Sequence, residues 1–317
     1  MTKAAELELE KLAKIWRQIK RSSGRIGRLV FNLGYLRKRN DKIGLYYYSG
    51  TPNFGDSLNI DIFRRMFGIE VEKHDSEHCD IVAVGSLLES FVINPHNWAA
   101  VFDKYLIPHM FVWGTGFIGS QKYDNERLSR CIDVRAVRGH LTLERLKKIT
   151  SKPLENVVVA DPGLLASRLF DTHNIEKKYA LGIIPHYVDE GNPLLNKIQV
   201  SNSVVLDIKQ SPEIFMARLA ECENVLSSAM HGLIAADSLG IPNVRMIISD
   251  KIAGGDYKYN DYYSAFGIKK HDCINLNQHE LSDKDLSGIS ANYKICPQKV
   301  VELQDALIAS FPYKKIK

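Results

Sequence analysis

Four ionisable side chains in this 317-residue chain stand at turns between an apolar run and a helical stretch, where backbone groups are free to meet a ligand. Asp56 lies in 50-GTPNFGDSLN-59, directly after the apolar run 43-IGLYYYSG-50. A carboxylate there either caps the following helix or accepts the proton of a bound hydroxyl. Asn53 and Gly55 flank it, and the glycines let a substrate approach the backbone closely. His231 opens a helical stretch within 227-SSAMHGLIAADSLGIPN-243. The helix dipole there favours neutral imidazole, whereas a bound phosphate would raise its pKa and leave an acid. Packing in the core is the other reading of this histidine. Ser228 and Gly232 share the same helix start, a place suited to anions. Arg138, in 135-RAVRGHLTLERL-146, ends a short strand, where a guanidinium either grips a carboxylate or phosphate by two bonds or faces solvent. The segment 254-GGDYKYNDYYSAFG-267 reads as a loop. Its Tyr259 and Asp261 suit a sugar, and its Lys258 suits phosphate; packing between domains is the alternative.

These residues need a scaffold that brings distant turns together. From residue 43 the chain alternates apolar runs of strand length with amphipathic stretches, the grammar of parallel βαβ units. Expected strands include 43–50, 80–88, 106–116, 133–139 and 156–165, with helices at 57–68 and 140–149. Two glycine turns, 85-GSLL-88 and 113-WGTGF-117 with Trp113, follow strands and offer N–H groups to a polar ligand. After a polar stretch at 166–178 the pattern restarts, with strands at 179–189, 203–210, 224–228 and 243–249 and helices at 213–222, 231–240 and 298–311. The fold class expected is α/β: two Rossmann-like domains, 41–168 and 169–317, with parallel sheets facing a central cleft. The last helix is a candidate to pack back on the first domain. Ligands of open parallel sheets bind at the carboxyl ends of strands, where each of these motifs falls.

The net charge of +5 is unevenly spread: residues 1–40 hold eleven Lys/Arg and three Glu (+8), the remainder 31 basic and 34 acidic residues (−3). Basic residues flank Leu12, Ile15, Trp16 and Ile19 at helical spacing, which marks 1–40 as a basic amphipathic arm suited to an anionic membrane surface, or as a solvated tail. The body lacks the basic, aromatic-interleaved face of a nucleic-acid binder. No run of about 18 apolar residues would span a bilayer. Five scattered cysteines without a CxxC predict reduced thiols, a cytoplasmic location and no structural metal.

Taken together, NFGDSLN, GSLL, WGTG, VRGHLTLERL, DPGLL, SSAMHGLIAADSLGIPN and KYNDYYSAFG, in this order across residues 43–268, resemble the polysaccharide pyruvyl transferase family. The resemblance implies a GT-B-like fold with acceptor and donor sides on the first and second domains. It implies transfer of pyruvate from phosphoenolpyruvate to two hydroxyls of a sugar, forming a ketal and releasing phosphate. No cofactor is implied, with phosphoenolpyruvate as co-substrate. By motif, His231 matches the essential histidine and Asp56 the N-terminal acidic residue, the expected catalytic pair. Arg138 and Lys258 match donor-binding positions, beside Ser228 and Gly232. Asn53, Gly55, Trp113, Tyr259 and Asp261 are expected on the acceptor, a saccharide or lipid-linked oligosaccharide at the inner membrane face. Many members carry arginine two residues before the histidine, whereas here Ala229 stands, as in the succinoglycan-type branch. Lys258 or Arg245 is then expected to supply the missing cation. The rival enzyme is a nucleotide-sugar glycosyltransferase, with Asp237 in IAADSLG facing the ribose. A non-catalytic glycan-binding subunit is the reading from a different class.

Overall fold

The sheets form because short runs of branched and aromatic residues, each closed by a glycine or polar turn, bury both faces. A computed structural model describes residues 42–94, 96 and 109–313; the expected arm over 1–40 lies outside them. Among the described residues, β1 (Ile43–Tyr46), β2 (Val71–Lys73), β3 (Ile81–Val82), β4 (Met110–Trp113), β5 (Ile132–Val137) and β6 (Val158–Val159) make one parallel sheet, ordered β2-β1-β3-β4-β5-β6. A second parallel sheet holds β7 (Tyr179–Ile184), β8 (Ser203–Val205), β9 (Cys222–Ser227), β10 (Asn243–Ile247) and β11 (Cys273–Asn275), ordered β8-β7-β9-β10-β11. The register is direct, Leu45 pairing with Ile81 in the first sheet and Leu226 with Ile183 in the second.

The main helices are α1 (Phe54–Asp61), α2 (His140–Ile149), α3 (Pro212–Ala220), α4 (Met230–Ser238), α5 (Tyr257–Ser264) and α6 (Pro297–Ser310). Helix α1 continues as a π turn, Ile62–Met66, and the chain reverses at Gly68 with φ 68°. Helix α5 corrects the expected loop. Tyrosine, asparagine and aspartate are poor helix formers, but Tyr259, Tyr262 and Tyr263 fall three and four residues apart and are buried. The Tyr259 hydroxyl donates to Ser228 O at 2.7 Å and the Tyr262 hydroxyl to Asp237 Oδ2 at 2.7 Å. Tertiary burial therefore overrides local propensity.

One apolar core runs through both sheets. The Phe54 and Phe215 rings meet at 4.6 Å, joining α1 to α3, and Phe54 N donates to Ile208 O at 2.7 Å. Helix α4 is apolar nearly all round, and such a helix must be enclosed. Leu233, Ile234, Ala235 and Ala236 are buried between its own sheet and the turn Pro162–Leu165 of the first half.

The last helix crosses to the first sheet. Gln304 Nε2 donates to Leu164 O at 2.7 Å, and the Phe311 ring lies flat on Phe67 at 3.6 Å. Trp113 is sealed under this segment: its Nε1 donates to Leu307 O and Ser310 Oγ, both at 3.1 Å, and its ring meets Phe63, Phe67 and Phe311 edge-on. It therefore does not reach a ligand, contrary to the acceptor role expected for it, because the side chain points to the opposite side of the strand end from the cleft-lining turns. Among the described residues no helix is long and apolar enough to cross a membrane. We expect Trp113→Ala to lower stability by about 3–5 kcal/mol in urea unfolding. A tryptophan that served the acceptor would instead raise the acceptor KM at unchanged stability.

Candidate active site

Past the carboxyl ends of β1, β3, β7, β9 and β10 a cavity of about 420 Å³ opens between the halves. Its lining includes Tyr48, Asn53, Asp56 and Ser86 from the first half and His186, Tyr187, His231 and Lys258 from the second.

Asp56 is not the helix cap. Asn53 is, with extended φ/ψ of −149°/161° and its Oδ1 accepting from Asp56 N at 3.1 Å. Asparagine caps as well as aspartate does, so the Asp56 carboxyl is left free to face the cavity. It is held there by the Asn53 side chain, whose Nδ2 donates to Asp56 Oδ2. Burial pushes the Asp56 carboxyl up to about 7, only partly opposed by the Asn53 hydrogen bond. Near neutral pH the group is thus poised to give or take a proton.

Gly55 serves the site differently from the expected contact with substrate. A Cβ there would collide with Nδ1, Cγ and Cε1 of His231. The glycine is needed because the imidazole lies flat against the α1 backbone, which sets His231 beside Asp56. His231 stands in the first turn of α4, which begins at Ala229 without a side-chain cap. Its Nε2 is buried and makes no hydrogen bond among the described residues. Burial first, then the charges of Lys258, Arg138 and His186, lower its pKa to about 3, so the unliganded ring is neutral. Lys258 projects from α5, largely buried, with no carboxylate partner among the described residues. Burial and the Arg138 and Arg245 charges lower it to about 8. Each of these cationic groups is held below its ordinary pKa, a state that an arriving anion would reverse.

Several expected site residues hold this arrangement together without lining it. Arg138 is wholly buried: Nε donates to Asp261 Oδ2 at 2.9 Å, Nη1 to Ser86 Oγ at 2.5 Å and Nη2 to Phe117 O at 2.6 Å. Its fork is spent on protein groups, so it lies behind Ser86 as a clasp, and two-point capture of a ligand is not open to it. Asp261 is the other jaw, its Oδ1 accepting from Thr142 N at 2.8 Å and its Oδ2 from Thr142 Oγ1 at 2.7 Å; it has no oxygen to spare for an acceptor. Gly139 is required here, since a Cβ would collide with Asp261 O.

Ser228 Oγ accepts from His186 N at 2.8 Å and donates to Asp189 Oδ2 at 3.0 Å, tying down the turn that carries His186. Gly232 packs against Ser227 Oγ and Ile184. Tyr259 is buried, with Arg245 stacked on its ring at 3.9 Å. Arg245 pairs with Asp256 at 2.7 Å, away from the cavity, and is not the missing cation. Asp237 is also enclosed, accepting from Asn243 Nδ2, Tyr262 and Tyr293, and cannot meet a ribose. The turn 113-WGTGF-117 is internal: Thr115 Oγ1 donates to Gly85 O at 2.6 Å and so shapes the GSLL turn.

The sequence motifs left other lining groups unnamed. His186 follows β7 in IIPHYVD, a strand-end histidine of the same kind as His231; burial and Lys258 lower it to about 4. Tyr46, Tyr48 and Tyr187 form an aromatic wall, and Tyr48 stays 48% exposed at the mouth. Ser90 completes it, 3.0 Å from the Tyr46 hydroxyl. Asp161, within the DPGLL motif, is wholly buried beneath the site.

The raised Asp56 has a linkage consequence. Between pH about 4 and 7 the folded chain keeps a proton on Asp56 that the unfolded chain has lost, so this group makes stability fall as pH rises through that window. His231, lowered when folded, contributes the opposite slope between pH about 3 and 6.5, which overlaps the Asp56 window. We expect Asp56→Asn to remove one of these slopes, worth up to about 1.4 kcal/mol per pH unit, when urea unfolding is compared with wild type at pH 4.5 and 6.5. Parallel stability curves would show that Asp56 is ionised normally.

The chain is 28% identical over 242 residues to an uncharacterised protein of Acanthamoeba polyphaga mimivirus, covering 74% of this chain and 78% of that one. It is 24% identical over 227 residues to the succinoglycan biosynthesis protein ExoV of Rhizobium meliloti, covering 70% of this chain and 64% of that one. A crystal structure of a functionally uncharacterised Klebsiella pneumoniae protein aligns with 78% of this chain and 97% of its own, at 16% identity and a TM-score of 0.40. The model of the family described as polysaccharide pyruvyl transferase matches residues 9–250, most of the chain, and the protein belongs to that family.

Proposed function

We propose that this enzyme uses phosphoenolpyruvate as donor and builds a pyruvate ketal on a sugar of a lipid-linked or polymeric glycan. The observation that carries the reading is Lys258: a largely buried ammonium without a carboxylate partner among the described residues, beside His231 and across the cleft from Asp56. A buried unpaired cation is costly unless an anion completes it, and a phosphate ester of a carboxylic acid supplies two. Lys258 and the first turn of α4 take the phosphate. Lys251 and His186, both lining the cavity, replace the arginine absent at Ala229. The Arg138 charge acts from behind Ser86. The two sheets face each other across this cleft in the GT-B manner.

In the reaction His231, protonated once the dianion is bound, gives its proton to the methylene carbon, leaving an oxocarbenium-like centre. The first sugar hydroxyl attacks that centre while Asp56 takes its proton; the second hydroxyl displaces phosphate and closes the ketal. The aromatic wall of Tyr46, Tyr48 and Tyr187 receives the sugar face, the place earlier expected of Tyr259. A lipid-linked acceptor would bring the enzyme to the inner face of the membrane, where the basic segment 1–40 meets anionic headgroups. The nucleotide-sugar reading loses its main support, since Asp237 is enclosed by tyrosines.

Proton and phosphorus NMR of the full chain with phosphoenolpyruvate and a panel of hexosides and extracted lipid-linked glycan tests this directly. Inorganic phosphate and a new ketal methyl singlet are expected together. His231→Ala should abolish both with an unchanged circular dichroism spectrum, and Lys258→Met should raise the donor KM about tenfold or more. Binding of nucleotide sugars, with no turnover of phosphoenolpyruvate on any acceptor, would sink the reading.

A further inference from the structure

Asp161, Asp237 and Asp261 are all wholly buried. Asp237 and Asp261 have both oxygens engaged by hydroxyl, amide or guanidinium donors. Asp161 differs. Its Oδ1 accepts from Gly163 N at 2.8 Å, capping the short turn Pro162–Leu165, but its Oδ2 has no hydrogen-bond partner among the described residues. A cap needs one oxygen and no burial, so capping alone does not account for this residue. A second orphan lies close by, the buried Nε2 of His231. Gly163 separates the two: a Cβ built there would stand 3.0 Å from Asp161 Oδ1 and 3.8 Å from His231 Cδ2, the carbon bonded to Nε2, with Ile234 Cγ2 closing the third side at 2.9 Å. The orphans are chemically complementary. A carboxylic acid offers an O–H, and an imidazole protonated on Nδ1 offers a bare Nε2.

We propose that Asp161 is the positioning residue and proton reserve of His231, its acid O–H serving the buried Nε2 while Nδ1–H is kept on the side of Gly55 and Asp56. As the bound anion raises the imidazole pKa, the Asp161 O–H bond breaks and an Nε2–H bond forms, by a small rotation or through one enclosed water, and the imidazolium then gives its Nδ1–H to the methylene carbon. Asp161 is left as carboxylate and the imidazole neutral. Of the two sugar hydroxyl protons, one returns to restore the acid and the other departs with phosphate. The charges facing the pair are Arg138 at the end of β5, Asp261 and Lys258 on α5, His186 after β7 and Asp56 on α1. Burial raises Asp161 to about 7, opposed by the Gly163 N–H and Arg138, which leaves it a proton to give near neutral pH.

The kinetic arm of the test rests on the donor reading above; the spectroscopic arm does not. Nitrogen-15 histidine NMR of the unliganded full chain should show His231 as the Nδ1–H tautomer, and Asp161→Ala should erase that preference. Asp161→Asn keeps shape and a donor but cannot pass on a proton. It should lower kcat about 100-fold, leave the donor KM within about threefold and remove the fall of kcat as pH rises through about 7, with Asp161→Glu recovering part of the rate. An Nε2–H tautomer in wild type, or an Asp161→Asn variant with wild-type kcat and pH profile, would overturn the proposal. If no acceptor turns over, the tautomer still decides the pair while the donor reading fails by itself.

Discussion

The site depends on a buried ion pair, Arg138 with Asp261, that ties the end of the first sheet to α5 of the second half. A buried pair of this kind is tolerable only when every remaining donor and acceptor is satisfied, and here Thr142, Ser86 and Phe117 O complete it. Its consequences spread outward. Helix α5 is set at a fixed distance from α2, so Lys258 and Tyr259 are fixed with it. Ser86 is held at the cavity edge by the guanidinium behind it. With Phe54 against Phe215 at the other end, the halves share one core.

Desolvation sets the proton affinities around the cleft. Burial pushes Asp56 and Asp161 up to about 7 and His231 down to about 3. The same desolvation lowers Lys258 to about 8. An arriving anion raises the pKa of imidazole and ammonium alike, so it reverses the burial-lowered values of His231 and Lys258. The proposed dianionic donor would thus charge the acid as it binds, linking occupancy to competence. Opposite, the tyrosine wall offers apolar faces and hydroxyls, so the two ends of the cavity differ in kind: Lys258 and the histidines at one, aromatic rings at the other.

Where the sequence reading went astray, the cause was the same each time. Asp56 was open between cap and site, because both asparagine and aspartate cap well and the pattern N-F-G-D permits either; only the backbone decides which side chain turns inward. Trp113 looked like a strand-end ligand contact, but which face of a strand end meets the cleft depends on the neighbouring layer, and here that layer is α6. The tyrosine-rich stretch 254–267 has poor helix propensity, and its helix exists because three rings find a core. Asp237 and Arg245 carried charges that seemed free until Tyr262, Tyr293 and Asp256 were placed beside them.

By itself the sequence determined the alternation of parallel strands and helices, the turns at which chemistry would gather and the family to which the chain belongs, since periodicity, glycine spacing and motif order are local properties of the chain. Tertiary structure alone decided which charged groups are spent and which are free. Arg138 and Asp261 are 123 residues apart and cancel each other, His186 and His231 meet through two different strand ends, and Gly163 sets Asp161 beside an imidazole that no local pattern connects to it. Charge pairing and desolvation depend on distance in space, and distance in space is set by the packing of the whole chain.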